Sequence, residues 1–202
     1  MKGAATLGLS CEVSRTRGVP SRLWIAMLAA VWMLAVPGMQ AQSSKISDYD
    51  VKAAYLFNFG RFVEWPTDGE ADNSGAFTFC ILGPDPFGPN LDHLLAGEKI
   101  NGRNLIVKRI SNAQESAGCQ VLFMSKEEEG RLNKIIKTLD KEAVLTVSDI
   151  PEFAKHGGMI QFVVEQNRVR FEVNLDATQR AGLILSSDLL KVATAVNRGH
   201  GN

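Results

Sequence analysis

Hydrophobic and polar positions follow two different spacings along this chain. Between Ser47 and Trp65 the apolar residues recur every three or four positions, which predicts a helix capped at Ser47 or Asp48 and ended by Trp65–Pro66. Short, continuous apolar runs further along predict buried strands. These strands are expected at 77–82, 105–110, 119–125 and 143–148. Amphipathic patterns between them predict helices at 90–97 and 126–139, with a short one at 149–154.

The order of these elements predicts the fold class. Continuous apolar strands that alternate with helices are typical of a largely parallel sheet covered on both faces. Two further strands, 159–165 and 168–174, flank Gln166–Asn167, which predicts an antiparallel hairpin with a two-residue turn. The closing stretch, 176–196, is expected to be helical and divided at Ser186–Ser187. The sequence therefore predicts a single α/β domain with a mostly parallel central sheet, helices on both faces and a C-terminal antiparallel hairpin.

The first 41 residues have the pattern of a secretory signal peptide. Basic residues precede an apolar run from Leu23 to Val36, Pro37–Gly38 break that run, and Ala41 offers a small residue for cleavage. The run is shorter than the roughly 20 residues that a membrane-spanning helix needs, so an uncleaved anchor is the less favoured alternative. We therefore expect residues 1–41 to be removed and residues 42–202 to form one exported domain.

Removal of this leader changes the charge and cysteine counts. It takes four of the 22 basic residues and one of the 22 acidic ones, which leaves 18 and 21 and a net charge of −3. Such a mildly acidic surface does not favour nucleic acid as a partner. Cys80 and Cys119 are the two cysteines that remain, and in an oxidising compartment they can form a disulfide. Two unpaired buried thiols are the alternative.

Motifs that carry chemistry are absent from the sequence. It contains no phosphate-binding loop, no dinucleotide fingerprint, no nucleophile elbow and no zinc-protease motif. Its three histidines, His93, His156 and His200, show no metal-ligand spacing. The sequence therefore predicts neither an enzyme nor a cofactor or metal site.

Four weaker patterns allow both a structural and a functional interpretation. The turn GPDPFG, residues 83–88, follows a strand, where ligands bind in open α/β sheets, but its composition is that of an ordinary tight turn. The dipeptide Gly157–Gly158 either turns the chain or lets a ligand approach the backbone. Arg61 and Glu64 lie beside Trp65 and form either a surface ion pair or a ligand pocket with an aromatic wall.

The fourth pattern is the strand RVRFEVN, residues 168–174. Its apolar side chains alternate with Arg168, Arg170 and Glu172, so the charged side chains share one face. This is either an ordinary solvated face or a charged platform that contacts a ligand or a partner.

An ordered set of segments resembles the YfiR family of periplasmic proteins. The resemblance extends from about Asp50 to Val196, nearly the whole exported domain. The segments that carry it are VKAAYLFNFGRFVEWP (51–66), FCILGPDPFG (79–88), CQVLFMS (119–125), LTVSD (145–149), GGMIQFVVEQNRVRFEVNL (157–175) and AGLILSSDLLKVA (181–193).

This resemblance implies regulation rather than catalysis. It implies a repressor that holds down an inner-membrane diguanylate cyclase by contacting its periplasmic sensor region, and that a peptidoglycan-binding outer-membrane lipoprotein sequesters. The output would be cyclic-di-GMP and biofilm formation. The resemblance also implies redox control through disulfides and binding of an aromatic amino acid. Cys80 and Cys119 match the family's long-range pair, whereas the second pair has no counterpart in FAKHGGMIQF, residues 153–162.

Three hypotheses for function follow from these observations. The first is a periplasmic regulator that inhibits a membrane-bound signalling protein, either a diguanylate cyclase or a sensor kinase. The second is a small-molecule binding module that uses Arg61, Glu64, Trp65 and Arg170 and signals to another receptor or transporter. The third is a hydrolase with an unrecognised site. A homodimer is an open possibility for the last helices.

Overall fold

A computed structural model describes residues 47–66, 75–140 and 142–198, all within the compact unit Lys45–Asn202. The predicted signal peptide, residues 1–41, lies outside the described residues, as does His200. The boundary between residues 41 and 42 stays a prediction. None of the described helices is long and apolar enough to cross a membrane.

Helices and strands alternate over most of this unit. In chain order they are α1 (Asp48–Phe62), β1 (Val63–Glu64), β2 (Phe77–Leu82), α2 (Pro89–Leu95), β3 (Lys99–Ile100), β4 (Arg103–Ile110), β5 (Val121–Met124), α3 (Leu132–Thr138), β6 (Leu145–Ser148), β7 (Ile160–Glu165), β8 (Arg168–Asn174), α4 (Leu175–Arg180), β9 (Ile184–Leu185), α5 (Ser187–Val192) and β10 (Ala195–Asn197). Short 3₁₀ turns at Ala113–Ser116 and Lys126–Arg131 precede β5 and α3.

Eight of these strands form one sheet in the order β10-β8-β7-β6-β5-β2-β4-β3. The five strands β4-β2-β5-β6-β7 are parallel to one another. Numbered one to five by their order along the chain, these strands lie across the sheet in the order 2-1-3-4-5. This is a doubly wound order, in which the chain changes direction across the sheet between β2 and β5. The predicted α/β fold around a mostly parallel sheet is therefore confirmed.

The end of the sheet beyond β7 departs from the parallel arrangement. β7 and β8 pair antiparallel, joined by Gln166 and Asn167, which both have positive φ angles, as a two-residue hairpin turn requires. β10 then adds to β8 in parallel orientation and forms the edge of the sheet. The hairpin is thus followed by further elements and does not close the domain.

Side chains from successive positions of the central strands enter two separate buried clusters. The first cluster contains Phe77, Phe79 and Ile81 of β2, together with residues of α1 and α2. The second contains Cys80 and Leu82 of β2, together with residues of α3. Because neighbouring side chains of a strand point to opposite faces, the two clusters lie on opposite sides of β2.

Local sequence features explain where helix α1 begins and ends. Ser47 accepts a hydrogen bond from the backbone N–H of Asp50, whose carboxylate accepts one from the backbone N–H of Ser47, a capping box. Its buried face carries Phe59, which lies 5.0 Å from the ring of Phe171 in β8. The helix ends at Phe62, earlier than predicted, because Val63 adopts an extended conformation and begins β1.

Three predicted helices differ from the structure. Segment 126–139 begins as a 3₁₀ turn and becomes α-helical only at Leu132. Segment 149–154 forms turns, because Glu152 has a φ of 58°, which is incompatible with a right-handed helix. Segment 176–196 is interrupted twice: Gly182, with a φ of 72°, follows α4, and the strands β9 and β10 find pairing partners elsewhere in the chain.

Candidate functional site

Cys80 and Cys119 form a disulfide. Cys80 lies in β2 and Cys119 lies just before β5, the neighbouring parallel strand, with 5.9 Å between their Cα atoms. Both residues are buried in the second cluster. The predicted pairing is therefore confirmed, and the bond ties together the two strands at which the sheet changes direction.

The turn at residues 83–88 follows β2 at this same point of the sheet. Asp85 Oδ1 accepts hydrogen bonds from the backbone N–H groups of Phe87 and Gly88, at 2.8 and 3.2 Å. Its Oδ2 accepts two from the guanidinium of Arg109 in β4, at 3.0 and 2.8 Å. Since both carboxylate oxygens already have partners within the fold, the structure favours an ordinary tight turn over a ligand-binding loop.

Arg109 also binds Asp92 of α2, so one guanidinium joins β4, the turn and α2. Hydrogen bonding to Asp92 raises the pKa of Arg109 further above its ordinary value. The same contact holds the pKa of the Asp92 carboxyl below its ordinary value. This cluster is a structural clamp, since one guanidinium binds a carboxylate of the turn and a carboxylate of α2.

A second polar cluster lies where β6 ends. Asp149 Oδ2 accepts a 2.6 Å hydrogen bond from Lys52 Nζ and a 3.0 Å hydrogen bond from the hydroxyl of Tyr49. Lys52 is buried, and its ammonium group lies 4.2 Å from the centre of the Tyr49 ring. Partial burial, followed by the Asp149 carboxylate, raises the pKa of Tyr49 to about 12. These contacts fasten the first turn of α1 to the sheet.

Adjacent ends of β2, β5 and β6 bring Gly83, Ser125 and Asp149 into a row. Ser125 Oγ and Asp149 Oδ1 are buried with no hydrogen-bond partner among the described residues. A Cβ atom on Gly83 would collide with Ser125 Oγ and approach Glu128 Oε1 to 2.7 Å. Glu128 is buried and forms an ion pair with Arg131. This edge of the sheet is polar but so closely packed that even a methyl group does not fit at Gly83.

The predicted ligand residues Arg61, Glu64 and Trp65 lie at the C-terminal end of α1 and just beyond it. Arg61 and Glu64 are exposed, and Arg61 lies 5.6 Å from the ring centre of Phe57. They form no ion pair with each other, in contrast to one predicted alternative. Trp65 is half-buried and packs edge-to-face on Phe77, with 5.2 Å between ring centres. Trp65 therefore serves at least in part as a core contact.

Sequence reasoning missed a small ladder at this end of α1. β1 and β9 pair antiparallel, with Val63 opposite Leu185 and Glu64 opposite Ile184. Val63 and Leu185 point inward and are buried, whereas Glu64 and Ile184 point outward. Phe62 is exposed next to them, and its carbonyl accepts a hydrogen bond from the backbone N–H of Ser186. Nothing in the sequence indicated that two-residue segments 120 positions apart would pair.

Arg168 and Arg170 lie on a different surface. They are exposed on β8, opposite Glu165 and Val163 of β7. Phe171, the next residue, packs on α1, so the side chain of Arg170 points to the opposite face of the strand. The structure thus brings Arg61, Glu64 and Trp65 to one region and places Arg168 and Arg170 on the other face of the sheet.

Comparison with known protein families assigns the chain to one of them. A family model described as YfiR/HmsC-like matches residues 49–194, which include both polar clusters, the disulfide and the ladder. The chain belongs to the YfiR/HmsC-like family.

One solved structure resembles part of this YfiR/HmsC-like chain. It is the crystal structure of the ABC domain in complex with L-Trp from Streptococcus pneumonia, with a TM-score of 0.45 and 9% sequence identity. The similarity covers 60% of this chain and 55% of that one, so the chain spans about half the length of the protein it matches. A similarity of this degree says nothing about a shared ligand.

Metal binding finds no support in the described part of this YfiR/HmsC-like chain. Within residues 47–66, 75–140 and 142–198, no group of three or more His, Cys, Asp or Glu side chains is placed to hold a metal ion. His93 lies in α2, and His156 contacts the backbone carbonyl of Glu152 through Nδ1.

Proposed function

We propose that this protein is a periplasmic regulator that inhibits a membrane-bound signalling enzyme, a diguanylate cyclase, by direct contact. In this way it tunes cyclic-di-GMP and biofilm formation without catalysing a reaction itself. The observation that carries the proposal is the match of the YfiR/HmsC-like family model to residues 49–194. The leader at residues 1–41 would deliver the domain to the periplasm, where only the external part of a membrane enzyme is within reach.

The chemistry of the described residues is compatible with a contact protein. The charged groups near the carboxyl ends of β2 and β6, Asp85 and Asp149, are bound to Arg109 and Lys52. Arg61 and Glu64 at the end of α1, and Arg168 and Arg170 on β8, are exposed. We assign these four residues to partner or ligand contacts.

Gene deletion tests the proposal directly. The deletion strain should contain more cyclic-di-GMP and form more biofilm, and expression of the full-length chain should restore both. A chain expressed without residues 1–41 would stay in the cytoplasm and should not restore either. Unchanged cyclic-di-GMP in the deletion strain under several growth conditions would refute the cyclase version and leave a sensor kinase as the partner to test.

Other partners of this proposal are a peptidoglycan-binding outer-membrane lipoprotein and a second copy of the chain. The lipoprotein would sequester the regulator and release the enzyme. Part of the protein should then be found in the outer-membrane fraction when the enzyme is active, and cell fractionation measures this. Light scattering of the purified domain measures whether it dimerises.

A second candidate function is the binding of a small molecule, an aromatic amino acid, with a signal to another receptor or transporter. The observation that favours it is Trp65, which follows the exposed Glu64 in the chain and packs edge-to-face on the core residue Phe77. A thermal-shift screen with amino acids and nucleotides tests it. A ligand-dependent rise in melting temperature that Trp65→Leu abolishes would support it, and no shift with any compound would exclude it.

A further inference from the structure

A groove beside the second buried cluster has a polar rim and an apolar floor. It lies between the 3₁₀ turn Ala113–Ser116 and helix α3, and it contains a cavity of about 80 Å³. Because one water molecule needs roughly 10–15 Å³ of such a cavity, the groove has room for a molecule of about five or six non-hydrogen atoms. None of the residues assigned to partner or ligand contacts lines it.

The floor of the groove is continuous with the core. Ala113 lines it from the turn and Ile135 lines it from α3, and both are buried members of the second cluster. The rim on the helix side consists of Arg131, Lys134 and Thr138. Because residues three and four positions apart share one face of a helix, these three side chains and Ile135 meet at the groove.

The rim carries a positive charge that has no partner in the described part of the chain. Arg131 forms an ion pair with the buried Glu128 and donates from Nη2 to the carbonyl of Ser111. These contacts fix the guanidinium, yet its Nη1 has no hydrogen-bond partner among the described residues. Lys134 is exposed and forms no ion pair with any described residue. Since no described Asp or Glu lines the groove, its free donors favour an anion.

We infer that this groove binds a short monocarboxylate, an acid of about three or four carbon atoms. The carboxylate would accept hydrogen bonds from Lys134 Nζ and Arg131 Nη1, and the carbon chain would lie on Ala113 and Ile135. Since the guanidinium is already held in place, binding costs little side-chain entropy there. Inorganic phosphate fits less well, because its oxygen atoms would lose water against the apolar floor without gaining donors. The inference goes beyond the proposed function, since the site shares no residue with the proposed contacts.

The chain offers a matched pair of lysines for the test. Lys134 lines the groove, whereas Lys137 is also an exposed lysine of α3 but does not line it. Lys134→Gln and Lys137→Gln each remove one positive charge from the same helix, so any effect of net charge is equal in the two variants. Melting temperatures check that both fold, and Lys134→Arg, which keeps the charge, is a further variant.

The probe is propionate, added to the purified protein at constant ionic strength, and the readout is the chemical shifts of the backbone amides. Propionate should bind saturably with a dissociation constant in the millimolar range and move the signals of Ala113, Gln114, Lys134 and Ile135. Lys134→Gln should raise the dissociation constant about fivefold, whereas Lys137→Gln and Lys134→Arg should leave it within about twofold of the wild type. Propionamide, which has the same shape without the charge, should bind at least about fivefold more weakly than propionate.

Several outcomes would overturn the inference. No saturation by propionate does so, and so do equal losses of affinity in Lys134→Gln and Lys137→Gln. Propionamide that binds as tightly as propionate would show that the charge plays no part. Phosphate that binds as tightly as propionate would show that the floor plays no part, and would overturn the monocarboxylate as the ligand. Shifts confined to Trp65 and its neighbours would place propionate at the end of α1 and overturn this site. None of these outcomes bears on repression, which the deletion strain tests separately.

Discussion

Lys52 in α1 and Asp149 at the end of β6 form a buried ion pair, with 2.6 Å between Nζ and Oδ2. The two residues are 97 positions apart in sequence, and Tyr49 donates a further hydrogen bond to the same carboxylate oxygen. A buried charge without its partner is costly, because the interior solvates it poorly. The pair therefore determines how the first turn of α1 sits on the sheet.

Lys52→Met should destabilise the folded domain by about 3 kcal/mol, because it leaves the Asp149 carboxylate buried without a counter-charge. Chemical denaturation measures the change. Lys155→Met is the matched control, since the Lys155–Glu152 pair is exposed and its loss should cost less than about 0.5 kcal/mol. Lys52→Met combined with Asp149→Leu should recover much of the loss. Similar effects of the two single lysine substitutions would contradict this role.

Stability should depend on Tyr49 at high pH. Its pKa is raised from 10.0 to about 12 in the folded chain, mainly by burial and then by the charge of Asp149. Below pH 10 the phenol is protonated in both states, so this stabilisation is fully present. Between pH 10 and about 12 the unfolded chain releases the proton while the folded chain retains it, so stability falls as pH rises. Denaturation of wild type and Tyr49→Phe across this window measures the effect, and parallel pH profiles of the two proteins would refute it.

Reduction of the Cys80–Cys119 bond should destabilise the domain. The bond closes a loop with a sequence separation of 39 residues, for which the chain-entropy relation gives about 4 kcal/mol. Melting temperatures with and without reductant check this for the wild type. Cys80→Ala with Cys119→Ala should melt at the lower temperature under both conditions. A wild type that melts equally in both would show that the bond contributes nothing.

Gly158→Ala should destabilise the domain by about 1–3 kcal/mol, since overpacking a dense core costs this much. A Cβ atom at Gly158 would collide with the ring of Phe153, which is fully buried. Gly130→Ala is the control, because a Cβ atom there meets no atom within 4 Å. The test is the difference between the two unfolding free energies, and a Gly158→Ala protein as stable as Gly130→Ala would show that Phe153 can move aside.

Local sequence patterns placed much of the sheet. The strands 77–82 and 168–174 begin and end as predicted, because continuous and alternating apolar residues give a strand its buried faces. The capping of α1 by Ser47 followed from the side chain itself. Strands β9 and β10 were missed because two or three residues carry no periodicity, and only their partners, Val63–Glu64 and 172–174, make them strands.

The candidate site was less accessible to sequence reasoning. Arg61, Glu64 and Trp65 were selected because they are close together in the chain, and the structure keeps them at one end of α1. Arg170 was grouped with them, but strand alternation turns it to the other face of β8 from Phe171 and α1. Ile184 was assigned to a helix, and its place opposite Glu64 depends on the β1–β9 pairing.

The sequence by itself determined the α/β fold class, the cysteine pair available for a disulfide and the family, since these depend on local apolar patterns and on ordered segments. Only the tertiary structure decided the strand order 2-1-3-4-5, the burial of Lys52 with Asp149 and the pairing of β1 with β9. The physical reason is the separation in sequence between the residues that make contact. Local spacing sets which face of an element is apolar, but contacts between residues 97 or 120 positions apart depend on how all the elements pack.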